Sequence, residues 1–333
     1  MAKIKIAING FGRIGRAAFK IILADKKYEI VAINDLAPAE SLAYLLQYDT
    51  VYGTYPKKIT SGKDFIVVNN KKYKITAIAE PKKLPWKKLG VDVVLECTGR
   101  FVKDGAAVAH LKAGAKKVII SAPAKGGGNV DTFLLGVNQT DYKDQRVISN
   151  ASCTTNCVAP VAQVMVSKFG VAKAMMTTIH SYTADQKLVD GPHRDPRRGR
   201  SAAQNIVPTT TGAAIATAQV IPELKGLFDG MAIRVPTPVV SLSDFTFLLK
   251  KKVTAKQVNN ALIAASKQPR LKGILGVTDQ PVVSSDFIGD TRSSIVDLSM
   301  TKVVDGDLVK IVAWYDNEWG YSYRLVEMIK HIV

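Results

Sequence analysis

The sequence predicts an α/β protein of two domains, a doubly wound parallel sheet followed by an α+β domain whose sheet is largely antiparallel. Three observations carry that prediction. At 333 residues the chain is longer than one hydrophobic core usually serves. Its first half alternates β-type runs with runs of helical period, the pattern of a parallel sheet with helices on its faces. Beyond residue 152 the pattern changes to longer β runs with fewer helices between them. The boundary therefore falls at 1–151 and 152–315.

Taken in order, residues 3–9 read as a short strand, 11–23 as a helix and 29–34 as a second strand. Residues 91–97, 105–113 and 117–121 continue as strand, helix and strand. Between them, 53–78 shows short alternating segments around Ser61-Gly62 and Asn69-Asn70, which read as hairpins appended to the sheet. A helix begins near Ser152. Strands follow at 172–181, 230–235, 239–249, 294–297 and 308–315, helices at 213–221 and 255–267, and a terminal helical pattern at 322–333.

Composition narrows the class. With 47% apolar and 22% charged residues the chain reads as globular rather than disordered or fibrous. No run approaches 18 uninterrupted apolar residues, and the first residues lead into a strand pattern, so a cytoplasmic protein without a membrane role is expected. Three cysteines, Cys97, Cys153 and Cys157, lack the density of a disulfide scaffold. Cys153 and Cys157 stand one helical turn apart, but no second pair of ligands accompanies them, so packing is the better reading of Cys157 and Cys97 and no metal is expected. The net charge of +18 is uneven, +12 over residues 1–150 and +6 thereafter. Lysine pairs such as Lys57-Lys58 and Lys82-Lys83 carry much of it and read mainly as solvated surface. Long-range attraction of anionic ligands, with weak non-specific nucleic-acid binding as a secondary consequence, is the functional reading.

The first helix opens on Gly10-x-Gly12-x-x-Gly15 directly after a strand, and Asp35 falls 20 residues beyond Gly15 at the end of the second strand. Glycines at those positions permit the tight turn, close approach of a pyrophosphate and helix–strand packing, while the helix N-terminus receives the phosphates. This is the Rossmann-type dinucleotide fingerprint in its expected setting. Asp35 favours NAD over NADP, because a carboxylate accepts from a ribose hydroxyl and repels a 2′-phosphate.

The second fingerprint is Ser149-Asn150-Ala151-Ser152-Cys153-Thr154-Thr155-Asn156-Cys157, followed by an apolar periodic run. It places the Cys153 thiol at a helix N-terminus, where free N–H groups and the macrodipole favour an anion, so Cys153 is expected to ionise easily and act as a nucleophile. Of four histidines, His180 stands at the end of a β-branched strand pattern, while His110, His193 and His331 read as structural or surface residues. Arg234 lies within an apolar strand, where an unpaired guanidinium is costly and a bound anion would relieve the cost.

The cysteine signature resembles the active-site motif of the phosphorylating glyceraldehyde-3-phosphate dehydrogenases. The likeness extends to Asn9-Gly10-Phe11-Gly12-Arg13-Ile14-Gly15-Arg16, His180-Ser181-Tyr182-Thr183, Thr211-Gly212-Ala213-Ala214 and Trp314-Tyr315-Asp316-Asn317-Glu318-Trp319-Gly320-Tyr321-Ser322. The resemblance implies a scheme in which Cys153 attacks an aldehyde, His180 takes the proton as hydride passes to NAD, and inorganic phosphate cleaves the thioester to an acyl phosphate. The Cys153 N–H and the His180 ring would hold the oxyanion. It implies Asn9, Gly10, Phe11, Gly12, Arg13 and Ile14 around the pyrophosphate, Thr98, Gly99 and Ser121 along the cofactor, and Asn317 on the nicotinamide carboxamide. It assigns Ser152, Thr154, Thr211 and Gly212 to inorganic phosphate, and Thr183, Arg197 and Arg234 to the substrate phosphate. It further implies that helix 316–333 completes the first domain, that the 182–202 loop lines a neighbouring subunit's cofactor pocket, and that the protein is a homotetramer. Departures from the family pattern are Ala79-Glu80-Pro81 beside the adenine, Gly191-Pro192, and Ile215 after Gly-Ala-Ala. Rival readings are the same chemistry on erythrose 4-phosphate, a non-phosphorylating aldehyde dehydrogenase, and a basic nucleic-acid-binding protein.

Overall fold

The computed structural model describes every residue except Met1, Gly127 and Asn129. The chain divides into two compact units, one of Met1–Phe133, Thr140–Ala151 and Ser322–Val333, the other of Leu134–Gln139 and Ser152–Tyr321.

The first unit is built on a nine-stranded sheet. From one edge the strands run Asp131–Thr132, Val147–Ser149, Lys117–Ile120, Val93–Glu96, Ile4–Asn9, Tyr28–Asn34 and Lys71–Thr76, all parallel. Phe65–Val68 and Ile59–Gly62 then extend the far edge as antiparallel hairpin strands. Ile6, Ala7, Ile8, Val93, Val94 and Leu95 are fully buried, as the near-continuous apolar runs of a sheet covered on both faces require. The chain leaves the central strand Ile4–Asn9 toward Tyr28–Asn34 on one side and later Val93–Glu96 on the other. A crevice therefore opens at the carboxyl ends of those strands, the switch point at which such sheets bind ligands.

Helix Arg13–Ile22 follows the first strand and buries Gly15, Ala17, Ala18, Phe19 and Ile22. Phe19 packs edge-on against Phe11 and Tyr73. The helix expected at 105–113 is broken instead into a 3-10 turn, Ala106–Val108, and a single α-turn, Ala109–Lys112. Gly105 and Gly114 bound it at φ +69° and +101°, conformations that do not continue a helix. Helix Ala39–Gln47 was not anticipated; Pro38 at its N-cap disguises the start as a turn.

In the second unit an eight-stranded sheet runs Val207–Thr210, Phe228–Val235, Val171–Ser181, Ser241–Leu249, Leu308–Tyr315, Ser294–Asp297 and Leu275–Thr278, with Lys302–Val304 also pairing with Leu308–Tyr315. It is largely antiparallel, with parallel pairs at Val171–Ser181 with Phe228–Val235 and at Leu275–Thr278 with Ser294–Asp297. Helix Cys153–Phe169 packs on this sheet and against helices Ala213–Val220 and Ala255–Ser266. The last begins with a capping box of Thr254 and Gln257.

The domain boundaries differ from the sequence expectation at two places. Residues 134–139 belong to the second unit, because Gly136 sits so close to Leu271 and Ile274 that an added Cβ would lie 2.9 Å from Leu271. Residues 316–321 also belong there: Asp316 accepts from Gly289 N at 2.8 Å, and a Cβ on Gly320 would meet the Arg292 carbonyl at 2.7 Å. The terminal helix, Trp319–Ile332, counts with the first unit from Ser322 onward, where Lys117 Nζ and Tyr142 both donate to the Ile332 carbonyl.

The glycines of the first turn make separable predictions. A Cβ on Gly15 would stand 2.1 Å from the Gly10 carbonyl, whereas one on Gly12 meets nothing within 4 Å. Gly15→Ala should therefore lose about 2–3 kcal/mol in a thermal or denaturant unfolding experiment, and Gly12→Ala should unfold like the parent.

Candidate active site

The crevice of the first unit, 590 Å³ in volume, is lined by Asn9, Gly10, Gly12, Asn34, Asp35, Leu36, Ile78, Ala79, Cys97, Thr98, Arg100 and Phe101. Its floor depends on Gly10, which has φ +92° and lies so near Cys97 and Thr98 that a Cβ would overlap their backbone at 2.8 Å. Gly12 caps helix Arg13–Ile22 without any side-chain acceptor and with no acidic residue in the first turn, so the opening N–H groups remain for an anionic ligand. The open space over Gly12 is the approach a pyrophosphate needs. The Asp35 carboxylate accepts from Phe11 N at 2.7 Å and Ala37 N at 3.0 Å, which fixes it at the crevice wall beside Leu36. These residues fit a nicotinamide dinucleotide.

The expected cofactor residues divide by what their side chains do. Gly10, Gly12, Asp35 and Thr98 line the crevice, and Gly99 follows at φ +68° with open space where a Cβ would stand. Phe11 is fully buried and contributes backbone. Arg13 is paired with Asp49 at 2.8 Å and lies over Tyr52, so its charge is committed to the protein. Ile14 and Ser121 are half-buried, with Ser121 N donating to the Glu96 carbonyl. Asn9 lines the crevice but turns its amide inward, onto Glu96 and Asn34.

In the second unit, Cys153 is the first residue of helix Cys153–Phe169, and Ser152 is its N-cap, accepting from Thr155 N at 3.1 Å. Ala151, just before it, is held at φ +52°, a left-handed conformation uncommon for a residue with a Cβ. His180 comes from strand Val171–Ser181 and sits 3% exposed, its Nε2 3.5 Å from Cys153 Sγ. Its Nδ1 lies 2.7 Å from the Ser181 carbonyl, to which it can only donate, and 3.1 Å from Arg234 Nη1, itself a donor; the carbonyl contact is the shorter, and with the proton on Nδ1 the Nε2 lone pair faces the thiol. Arg234, opposite His180 in the parallel neighbour strand, donates through Nη1 to the same carbonyl at 3.1 Å and to Thr183 Oγ1 at 3.5 Å. Arg234 Nε is buried without a partner.

Electrostatics overturn one expectation. Burial pushes the Cys153 thiol above its ordinary value and outweighs the opposing pull of the Arg234 guanidinium, the Thr154 hydroxyl and the backbone N–H groups of Thr154 and Cys153. The site therefore does not by itself favour ready ionisation, because desolvation penalises a thiolate more than the helix terminus rewards it. His180 is moved the other way, to about 3, first by burial and then by Arg234. The pair is thus a thiol facing a neutral imidazole, an arrangement suited to removing the thiol proton as the sulfur attacks.

Thr154, 5% exposed, bonds Tyr315 OH at 3.0 Å, and Thr178 completes that buried chain at 2.8 Å. The Ser152 hydroxyl is engaged by Thr155, so both carry structural loads beyond any anion contact. Thr211 accepts from Ala213 N at 3.2 Å, and Gly212, itself exposed, caps helix Ala213–Val220. The two adjacent arginines are placed differently. Arg197 is exposed, with Nη1 on the Pro208 carbonyl, while half-buried Arg198 bonds Thr209 at 3.0 Å and Asp185 at 2.7 Å, and its charge contributes to the depression of His180. Sequence gave no means to separate adjacent arginines. Asn317, 5% exposed, has its amide oxygen held by the hydroxyls of Ser181 and Ser241, each at 3.0 Å, leaving the amide nitrogen as its outward donor. Ser181, Ser241, Tyr315 and Thr178 were not among the expected site residues. Cys157 packs in the core beside Ser294, and burial pushes its thiol to about 12.

A dinucleotide crevice on a doubly wound sheet and a histidine-paired cysteine on an α+β unit place the chain in the class of NAD-dependent oxidoreductases with a candidate thiol nucleophile. Comparison with known proteins places it more closely. Residues 4–104 match the glyceraldehyde 3-phosphate dehydrogenase NAD binding domain, and residues 152–317 match the glyceraldehyde 3-phosphate dehydrogenase C-terminal domain. The chain is 53% identical over 332 residues to a glyceraldehyde-3-phosphate dehydrogenase of Geobacillus stearothermophilus, covering 99% of this chain and 98% of that protein. It is 52% identical to one of Zymomonas mobilis, with 97% of each chain covered, and 50% identical to one of Streptomyces coelicolor, covering 98% and 97%. The chain belongs to the glyceraldehyde-3-phosphate dehydrogenase family.

Because Arg234 lowers the Cys153 pKa, Arg234→Gln should move the pH midpoint of Cys153 alkylation by iodoacetamide to higher pH. An unchanged or lower midpoint would show that the guanidinium does not act on the sulfur.

Proposed function

We propose that the chain oxidises glyceraldehyde 3-phosphate to 1,3-bisphosphoglycerate with NAD and inorganic phosphate, through an acyl-Cys153 intermediate, in the breakdown or synthesis of sugars. The observation that carries the reading is the Cys153 Sγ to His180 Nε2 contact of 3.5 Å beside a partly unpartnered Arg234. Neutral His180 takes the Sγ proton as sulfur attacks the aldehyde carbon. The Cys153 N–H and His180 steady the oxyanion, and protonation of that oxygen gives a hemithioacetal. NAD, held in the first unit by the Gly10–Gly15 turn and Asp35, supplies the hydride acceptor. His180 accepts the hydroxyl proton as the carbon is oxidised to a thioester. Phosphate then attacks the thioester carbonyl, the C–S bond breaks, and the thiolate recovers its proton from His180.

The two phosphates call for separate anion sites. Arg234 and Thr183 are joined by a hydrogen bond beside His180 and suit the substrate phosphate, with Arg198 reinforcing the positive field. Ser152, Thr154, Thr211 and Gly212 lie at two helix N-termini and suit the attacking phosphate.

The active form we propose is a homotetramer in the cytoplasm. Supporting it, one face of the second unit's sheet leaves Met175 at 60%, Met231 at 40% and Leu308 at 40% exposed, apolar area that a second copy would cover. No helix among the described residues is long and apolar enough to cross a membrane. The basic surface of residues 1–150 supports only weak, salt-sensitive nucleic-acid adhesion as a secondary property.

Cys153→Ser should abolish both NADH formation and acyl-enzyme detected by mass spectrometry, while His180→Asn should retain the acyl-enzyme but form it about 10²–10⁴-fold more slowly. Near-normal turnover in Cys153→Ser would sink the scheme. Faster turnover of erythrose 4-phosphate than of glyceraldehyde 3-phosphate would redirect it to that substrate.

A further inference from the structure

Behind Asn9 and Thr98 in the first unit lies a polar cluster that the chemistry above does not use. Glu96 and His110 are both wholly withdrawn from solvent, which a carboxylate tolerates only when its oxygens are satisfied. Trp86 Nε1 donates to His110 Nδ1 at 3.0 Å. An indole nitrogen can only donate, so Nδ1 is the acceptor and the imidazole proton sits on Nε2. That proton goes to Glu96 Oε2 at 2.8 Å. The same oxygen accepts from Asn9 Nδ2 at 2.5 Å, while Oε1 accepts from Thr98 N at 2.8 Å and from the Thr98 hydroxyl. Asn9 Oδ1 in turn accepts from Asn34 Nδ2 at 2.7 Å, and the residue after Asn34 is Asp35.

The consequence lies in what is tied together. Asn9, Asn34 and Thr98 stand at the carboxyl ends of three adjacent parallel strands, the tips whose spacing sets the crevice. The last backbone bonds between these strands are Gly10 N to the Asn34 carbonyl at 2.8 Å and Cys97 N to the Asn9 carbonyl at 2.7 Å, and the side chains of the cluster add a second tie between the same three tips. Glu96 does so with four donors and no cation, and its geometry depends on His110 presenting Nε2–H rather than a lone pair. Phe101 packs edge-on against the imidazole and Trp86 stacks beside it, which restricts the ring to that orientation.

We propose that His110 is a positioning residue for the dinucleotide. Held in one tautomer by Trp86, it orients Glu96, and Glu96 fixes the Asn9, Asn34 and Thr98 tips at the separation the cofactor requires. The proposal rests on NAD binding in this crevice and goes beyond it by assigning the affinity to a buried pair that does not touch the ligand.

Calorimetric titration of NAD, with steady-state kinetics, tests it in the full chain. His110→Leu should raise the NAD dissociation constant and KM about tenfold, while kcat and the KM for glyceraldehyde 3-phosphate stay within about twofold. His110→Gln should restore most of the affinity, because its amide accepts from Trp86 and donates to Glu96. Trp86→Phe, which keeps an aromatic ring but deletes the pyrrole N–H, should weaken NAD binding by a smaller factor in the same direction. A pair that only fills the core would lower the melting temperature without moving NAD affinity. Unchanged affinity in folded His110→Leu, or a Gln variant no better than Leu, would overturn the proposal; should His110→Leu not fold, unchanged affinity in Trp86→Phe would do so. Failure of the unsubstituted chain to bind NAD would instead overturn the cofactor reading itself.

Discussion

A half-buried thiol and a buried, neutral imidazole 3.5 Å apart, next to a guanidinium, set the terms for the rest of the second unit. Burial makes ionisation of either group expensive, so the pair rests uncharged and proton transfer is deferred to the moment of attack. Holding it there requires a helix that starts at Cys153, a strand that ends at His180 and Ser181, and a parallel neighbour that brings Arg234 to the same level. The strained Ala151 and the Ser152 cap are the local means by which the helix begins where the chemistry needs it.

Anion recognition follows from the same constraint. A half-buried arginine whose Nε is buried without a partner is poorly satisfied by protein alone, and in the proposed reaction the substrate phosphate supplies what it lacks. The first unit meets its own anionic ligand differently, with uncapped helix N–H groups and glycines that leave room instead of charge. At that turn Arg13 is spent on Asp49 and Arg16 on the Phe11 carbonyl. Asp35, the carboxylate at the crevice wall, is itself held by two backbone N–H groups.

Much of this was legible in the sequence because short-range chemistry dictated it. Gly10, Gly12 and Gly15 have separate steric roles that spacing alone encodes, and the cysteine signature fixed a helix start. Arg234 was readable as a charged residue among Ala232, Ile233 and Val235, and His180 from its place at the end of a β-branched strand together with the cysteine signature. What escaped depends on partners distant in the chain. Arg197 and Arg198 are indistinguishable until Thr209 and Asp185 fold against one of them. His110 reads as structural until Trp86 and Glu96, 24 and 14 residues away, close around it. The balance of desolvation against helix-terminus stabilisation at Cys153 likewise has no sequence signature, since it depends on how deeply the sulfur is buried.

The central claim is that the acyl group carried on Cys153 is released to phosphate. The most direct measurement is NADH formation from glyceraldehyde 3-phosphate and NAD by the reduced protein, with and without inorganic phosphate. The account predicts sustained turnover only when phosphate is present, and a burst limited to one equivalent per chain when it is absent. Sustained, equal turnover without phosphate would contradict it, because water would then be cleaving the thioester and the second anion site would have no part in the reaction.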